Sequence, residues 1–243
     1  MTQAILYGAI SGLSLIVGAF VGLTFHLKQK VVAAFMAFGS GVLICALTFG
    51  LMEEAFHHGG FDAVIIGFLA GGVVFIGGDY LLHIYGGRKH KRRPLYQPKR
   101  DASGQVITLG AVLDGIPESV ALGIALFNSA ATGFLMLVAI FLSNFPESIS
   151  SLAGLKSEGF KNRRIYLLWG IAAAATLVVT VISYQFLHAL PRNTLGILEA
   201  FAAGAILAML ADSMIPEAYE EGGTAVGLLT VLGFLVAFVL SRF

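Results

Sequence analysis

Residues 114–119 read Asp114-Gly115-Ile116-Pro117-Glu118-Ser119, and residues 143–148 read Ser143-Asn144-Phe145-Pro146-Glu147-Ser148. Each stretch lies inside an apolar run long enough to cross a bilayer, and each contains Pro-Glu-Ser. In hydrocarbon a proline frees a backbone carbonyl that must find another partner, and a carboxylate must be paired or bind an ion. A matched pair on neighbouring spans, with Asp114 one helical turn before Glu118, reads as an ion-coordinating centre between two kinked helices.

Composition fits that reading. The 243 residues are 57% hydrophobic and only 12% charged, with a mean hydropathy of +0.87. A soluble domain carries about twice that charge, so the chain reads as an all-α integral membrane protein. Apolar windows place eight transmembrane helices near 4–25, 31–52, 62–86, 105–127, 131–154, 164–187, 194–215 and 223–241. At about 20 residues each they use roughly two thirds of the chain, which leaves residues 1–243 as a single transmembrane domain. A net charge of +1 gives no support for nucleic-acid binding. Cys45 is the single cysteine and permits no intrachain disulfide. Met1-Thr2-Gln3 has no basic cluster, so the first apolar run reads as a span rather than a cleaved signal.

The basic residues orient these helices. Lys28 and Lys30 follow the first span; Arg88, Lys89, Lys91, Arg92, Arg93, Lys99 and Arg100 follow the third; Lys156, Lys161, Arg163 and Arg164 follow the fifth. Of the 15 Lys and Arg, only Arg192 and Arg242 fall elsewhere. The positive-inside rule makes the shared side cytoplasmic, with the basic 88–103 loop there and both termini outside. The expected location is the cell membrane, with the lipid bilayer as partner.

An internal repeat adds a second layer of organisation. Shifted by 163 positions, Ala37, Phe38, Gly41, Leu47, Glu54, Ala55, Gly59 and Gly60 meet identical Ala200, Phe201, Gly204, Leu210, Glu217, Ala218, Gly222 and Gly223 without a gap. Five crossings separate the copies, so they run in opposite directions. Helices 1–3 and 6–8 then form an inverted repeat around helices 4 and 5, an arrangement typical of secondary transporters.

On helix 4, Asp114 and Glu118 share a face; on helix 5, Ser143, Asn144 and Glu147 do. Neither span holds a Lys or Arg, so a divalent cation is the natural counter-charge and would displace protons on entering. Other readings are a carboxyl network that fastens two helices, a proton-coupled transporter of another substrate, and a passive cation channel. An enzyme is not expected. No His-Glu-x-x-His occurs, and His26, His57, His58, His83, His90 and His188 all lie outside spans 4 and 5.

Further polar groups have two readings each. Asp79 and His83 form a structural pair or an exit-path ligand. Glu53, Glu54, His57 and His58 end span 2 as an entrance or a solvated helix end. Asp212, Glu217, Glu220 and Glu221 form an acidic cluster for metal release or ordinary interfacial charge. Glu199 is a surface or pathway residue. Gly67 and Gly71 make a close-packing stripe, within the chain or between two copies.

The two motifs resemble the paired His-Asn-x-Pro-Glu-Gly motifs of the ZIP (Zrt-, Irt-like protein) family of divalent metal transporters. The resemblance implies eight spans with outward termini, a cytoplasmic loop after the third, an inverted repeat, a homodimer, and transport of zinc, iron or manganese as substrate with no prosthetic group. It also implies a metal site made of Glu118, Glu147 and Asn144, with Asp114 and Ser143 in the places of histidines and Gly115 replacing a ligand asparagine. The chain is divergent there, because an all-oxygen donor set remains. Imidazole suits zinc, whereas carboxylate and amide oxygens suit harder ions such as manganese. Replacing Asp114 by His should therefore raise the zinc-to-manganese uptake ratio in proteoliposomes by about fivefold or more. An unchanged ratio in competition uptake counts against Asp114 as a ligand.

Overall fold

The computed structural model describes residues 1–25, 27–85 and 104–242, apart from the side chains at 83, 85, 104–109, 111 and 112. The basic 88–103 loop and the side chain of His83 lie outside these residues. Every regular element described is helical, the form in which a chain this apolar satisfies its own backbone donors and acceptors. In order they are α1 (Thr2–Thr24), α2 (Gln29–Leu47), a π-helical turn (Thr48–Met52), α3 (Glu53–Tyr85), α4 (Gly104–Asn128), α5 (Ala130–Ser150), α6 (Leu152–Ser157), α7 (Asn162–Leu187), α8 (Arg192–Met209), a second π-helical turn (Leu210–Met214), α9 (Ile215–Gly222) and α10 (Ala225–Leu240). Among the described residues, five helical stretches are long and apolar enough to cross a membrane: Thr2–Thr24, Gln29–Leu82, Ala130–Ser157, Asn162–Leu187 and Arg192–Gly222. Large apolar side chains such as Phe61 (71% exposed) and Leu228 (65%) face outward, which suits lipid and not water.

Two helical runs extend beyond their apolar windows. The run starting at Gln29 passes through its π turn to residue 59, and the run starting at Arg192 reaches Gly222. Glu53, Glu54, Glu217, Glu220 and Glu221 are good helix formers, so the backbone stays helical after the hydrophobic signal stops. A glycine ends each run. Gly60 breaks α3 with φ 66° and ψ −165°, and Gly223 closes α9 with φ 63° and ψ −145°. A side chain rarely adopts that conformation. Gly60 and Gly223 are 163 positions apart, the shift that aligns the two sequence segments, and the π turns begin 162 apart.

The helices pack as two groups. In one, α1 lies against α7 and α5, and α4 against α7 and α5; in the other, α3 lies along α8, α10 along α2, and α2 against α9. The groups meet where α2 touches α5 and α4 touches α8. Missing side chains set the closest approaches in the second group. A Cβ on Gly71 would strike the carbonyl of Phe201, and one on Gly204 that of Phe68. On the other side, a Cβ on Gly233 would strike the carbonyl of Phe38, and one on Gly41 that of Thr230. Phe38 and Gly41 are the 163-shift counterparts of Phe201 and Gly204. Gly67 likewise stands against the Ile197 carbonyl, so the Gly67–Gly71 stripe packs within the chain.

Within the first group, α4 ends at Asn128 and α5 begins at Ala130. Ser129 alone joins them and caps α5 by accepting a hydrogen bond from the Thr132 amide at 3.0 Å. A one-residue joint makes α4 and α5 an antiparallel hairpin, which brings Pro117 and Pro146 onto adjacent helices.

Overpacking costs about 1–3 kcal/mol, and more when backbone is struck. Gly71→Leu is expected to lower the detergent melting temperature by about 5 °C or more. Gly77, with nothing within 4 Å of an added Cβ, should accept Ala with a change within about 2 °C. Thermal melting of the two variants checks both.

Candidate functional site

Glu118 sits mid-way along α4 and is 1% exposed. Pro117 precedes it and cannot donate to the carbonyl of Leu113, so that turn of α4 is held by one bond fewer. Pro146 does the same for Leu142 in α5. On the side facing α3 and α8, Pro117 borders an apolar cavity of about 120 Å³, lined also by Phe75, Leu113, Val120, Phe201 and Ala205. The cavity brings no donor toward the carboxylate.

The donor comes from α5. Ser143 Oγ donates to Glu118 Oε1 at 2.7 Å and also lies 3.0 Å from the Ile140 carbonyl of its own helix. Glu118 Oε2 is buried without a hydrogen-bond partner. Asn144 is buried at 2% exposure beside Ser143, while Asp114 and Glu147 are half-buried. The carboxyls of Glu147 and Asp114 both act electrostatically on Glu118 as like charges. Ser119 and Ser148 are turned to backbone carbonyls, of Gly115 and Phe145, and are spent on their own helices.

The predicted set is therefore gathered on the two hairpin helices, with Glu118 and Ser143 in direct contact. It is not a closed cage. Among the described residues, no three His, Cys, Asp or Glu side chains are grouped so as to hold a metal. The arrangement offers a buried carboxylate with one oxygen, Oε2, free of any hydrogen bond and the other, Oε1, bonded to the Ser143 hydroxyl. A hard or borderline divalent cation is the ligand such a set can take.

The structure sorts the other polar candidates. Glu199, open to either reading from sequence, is fully buried in α8. Its Oε2 pairs with His58 Nδ1 at 2.9 Å, and its Oε1 accepts from Asn128 Nδ2 at 2.8 Å. Glu54 acts on it electrostatically as well. Glu53 and His57, by contrast, are exposed. The acidic cluster of the seventh span is divided: Asp212 and Glu220 are exposed, while Glu217 accepts a hydrogen bond from Ser150 of α5. Sequence reasoning missed Asn128 and Ser150. For Asn128 the available signal was Glu199, an acid inside the apolar run 195–211, which in a membrane span requires a partner.

Removing the Ser143 hydroxyl leaves Glu118 without its donor, a loss of about 1–3 kcal/mol. Ser143→Ala should therefore melt several degrees below wild type in chelator-treated detergent solution, and an unchanged melting temperature would show that this hydrogen bond contributes nothing.

Residues 87–241 match the family model of the ZIP Zinc transporter. A stretch of 185 residues is 27% identical to an Arabidopsis thaliana protein named as a proposed zinc transporter. The match covers 75% of this chain and 29% of that relative, so the chain spans less than a third of the relative's length.

Proposed function

The chain belongs to the ZIP zinc transporter family, and we propose that it carries a divalent metal ion of the zinc, iron or manganese class across a membrane, through a site between α4 and α5. Members of that family are transporters and not enzymes. The observation that carries this reading is Glu118: a buried carboxylate with one oxygen unpartnered, on a hairpin that holds no Lys or Arg to neutralise it. An ionised acid in mid-membrane costs about 2.5–3.5 kcal/mol on insertion scales. A divalent cation bound by Glu118 and Glu147, with Asp114, Ser143 and Asn144 completing the set, offsets that cost while it is present. Neither hairpin helix carries a basic side chain, so an entering cation supplies the counter-charge.

The proposed architecture has eight crossings with an inverted repeat. The paired π turns, the two positive-φ glycines 163 positions apart and the equivalent glycine packing of α3 on α8 and α10 on α2 support it. In such an arrangement the ion site lies near mid-membrane where the two helix groups meet, and α5 against α2 and α4 against α8 are the contacts between those groups.

Uptake into proteoliposomes decides the function. Wild-type protein should take up zinc saturably, with manganese and iron(II) as competitors. Glu118→Gln and Glu147→Gln should each reduce the maximal rate by about tenfold or more, as expected when an ion loses an anionic ligand. Rates within about twofold of wild type for both variants would remove these carboxylates from the pathway.

A further inference from the structure

The run formed by α8, its π turn and α9 meets the α4–α5 hairpin through a carboxylate at each end. At one end Glu199 accepts from Asn128, the last residue of α4. At the other, Glu217 accepts from Ser150, the last residue of α5. Asn128 lies beside the turn of the hairpin, and Ser150 closes its far end. Glu199 and Glu217 are about 27 Å apart along their helix at 1.5 Å per residue, close to the length of α5. Each bond crosses from one helix group to the other.

We infer that Glu199 and Glu217 are positioning residues, two straps that hold opposite ends of the hairpin against the α8–α9 run, each opposing separation at its own end. The inference rests on the transport reading only for its effect on flux. The Asn128 strap is the more rigid. Glu199 is fully buried, and His58, from the same helix group, occupies its second oxygen and fixes the carboxylate in place. The acceptor of that strap is fully buried, and a hydrogen bond is electrostatically stronger in such surroundings than in water. Asn128 lies about 15 Å along α4 from Glu118, too far to touch an ion there. An ion entering from one side needs the hairpin and the α8–α9 run to part at that end while the other stays shut. A strap at each end supplies that separate control.

Hydrogen exchange on the purified full chain in detergent, without metal, tests the straps. Asn128→Leu should speed amide exchange over 122–132 by about fivefold or more, with 144–152 within about twofold of wild type. Ser150→Ala should do the reverse, and Ser150→Thr, which keeps the hydroxyl, should exchange like wild type at both ends. Glu199→Gln keeps the shape and weakens both of its bonds, and should reproduce the Asn128→Leu pattern at smaller amplitude, which guards against a misfolded leucine variant. In proteoliposomes, Asn128→Leu should raise the maximal rate of zinc uptake about threefold with KM within about twofold. Exchange unchanged at the altered end, loosening of both ends together, or an unaltered maximal rate would overturn the proposal. A wild-type chain that moves no zinc refutes the transport reading alone, and the exchange comparison still decides the straps.

Discussion

With no water around them, the buried polar groups of this chain have to be satisfied by the chain itself, and the rest of the structure follows from that demand. Backbone groups are closed off by helices throughout. Several buried serines and threonines turn back to their own helices: Ser40 to the Met36 carbonyl, Ser151 to Glu147, Thr176 to Ala172. What remains are groups that no local bond can satisfy. Glu118 and Glu199 are the largest of these, each almost without exposure. They differ in outcome: Glu199 has both oxygens occupied, whereas Glu118 has one. The same constraint that makes Glu199 a structural anchor leaves Glu118 with one oxygen unpartnered, the feature on which the proposed metal site rests.

Close helix packing is the second determinant. Hydrocarbon gives no hydrophobic drive to bring helices together, so they associate through van der Waals fit and approach most closely at glycines. Phe201 beside Gly71 and Phe38 beside Gly233 are two uses of one device in the two segments related by the 163 shift. This packing ties α3 to α8 and α2 to α10 tightly, while the hairpin meets that group through α2 on α5 and α4 on α8. The proposed transport needs a tight part and a part that yields. The glycine contacts account for the first, and single polar bonds such as Asn128 to Glu199 are suited to the second.

Much of this was legible in the chain. The alternation of apolar runs with short polar joints locates the helices, because each span must close its own backbone and be apolar over about 20 residues. The repeated Pro-Glu-Ser marks the hairpin, since proline and a carboxylate are both costly in hydrocarbon and chance seldom pairs them. The glycine repeat announced related backbone conformations, and Gly60 and Gly223 do adopt the same unusual one. The helix ends were less legible. Glutamates past the apolar windows carry α3 and α9 onward, and hydropathy alone stops too soon.

By itself, then, the sequence determined the helical class, the pair of motifs and the set of oxygen donors available between them. Only the tertiary structure decided which of those groups meet. Glu199 finds His58 from 141 positions away and Asn128 from 71, and Ser150 finds Glu217 from 67. Among the predicted site residues, Ser143 donates a hydrogen bond to Glu118 from the neighbouring helix. A helix's own periodicity says which residues share its face, but which neighbour that face meets, and at what height, depends on how the helices cross and slide. That depends on packing between helices far apart in sequence, and no local pattern encodes it.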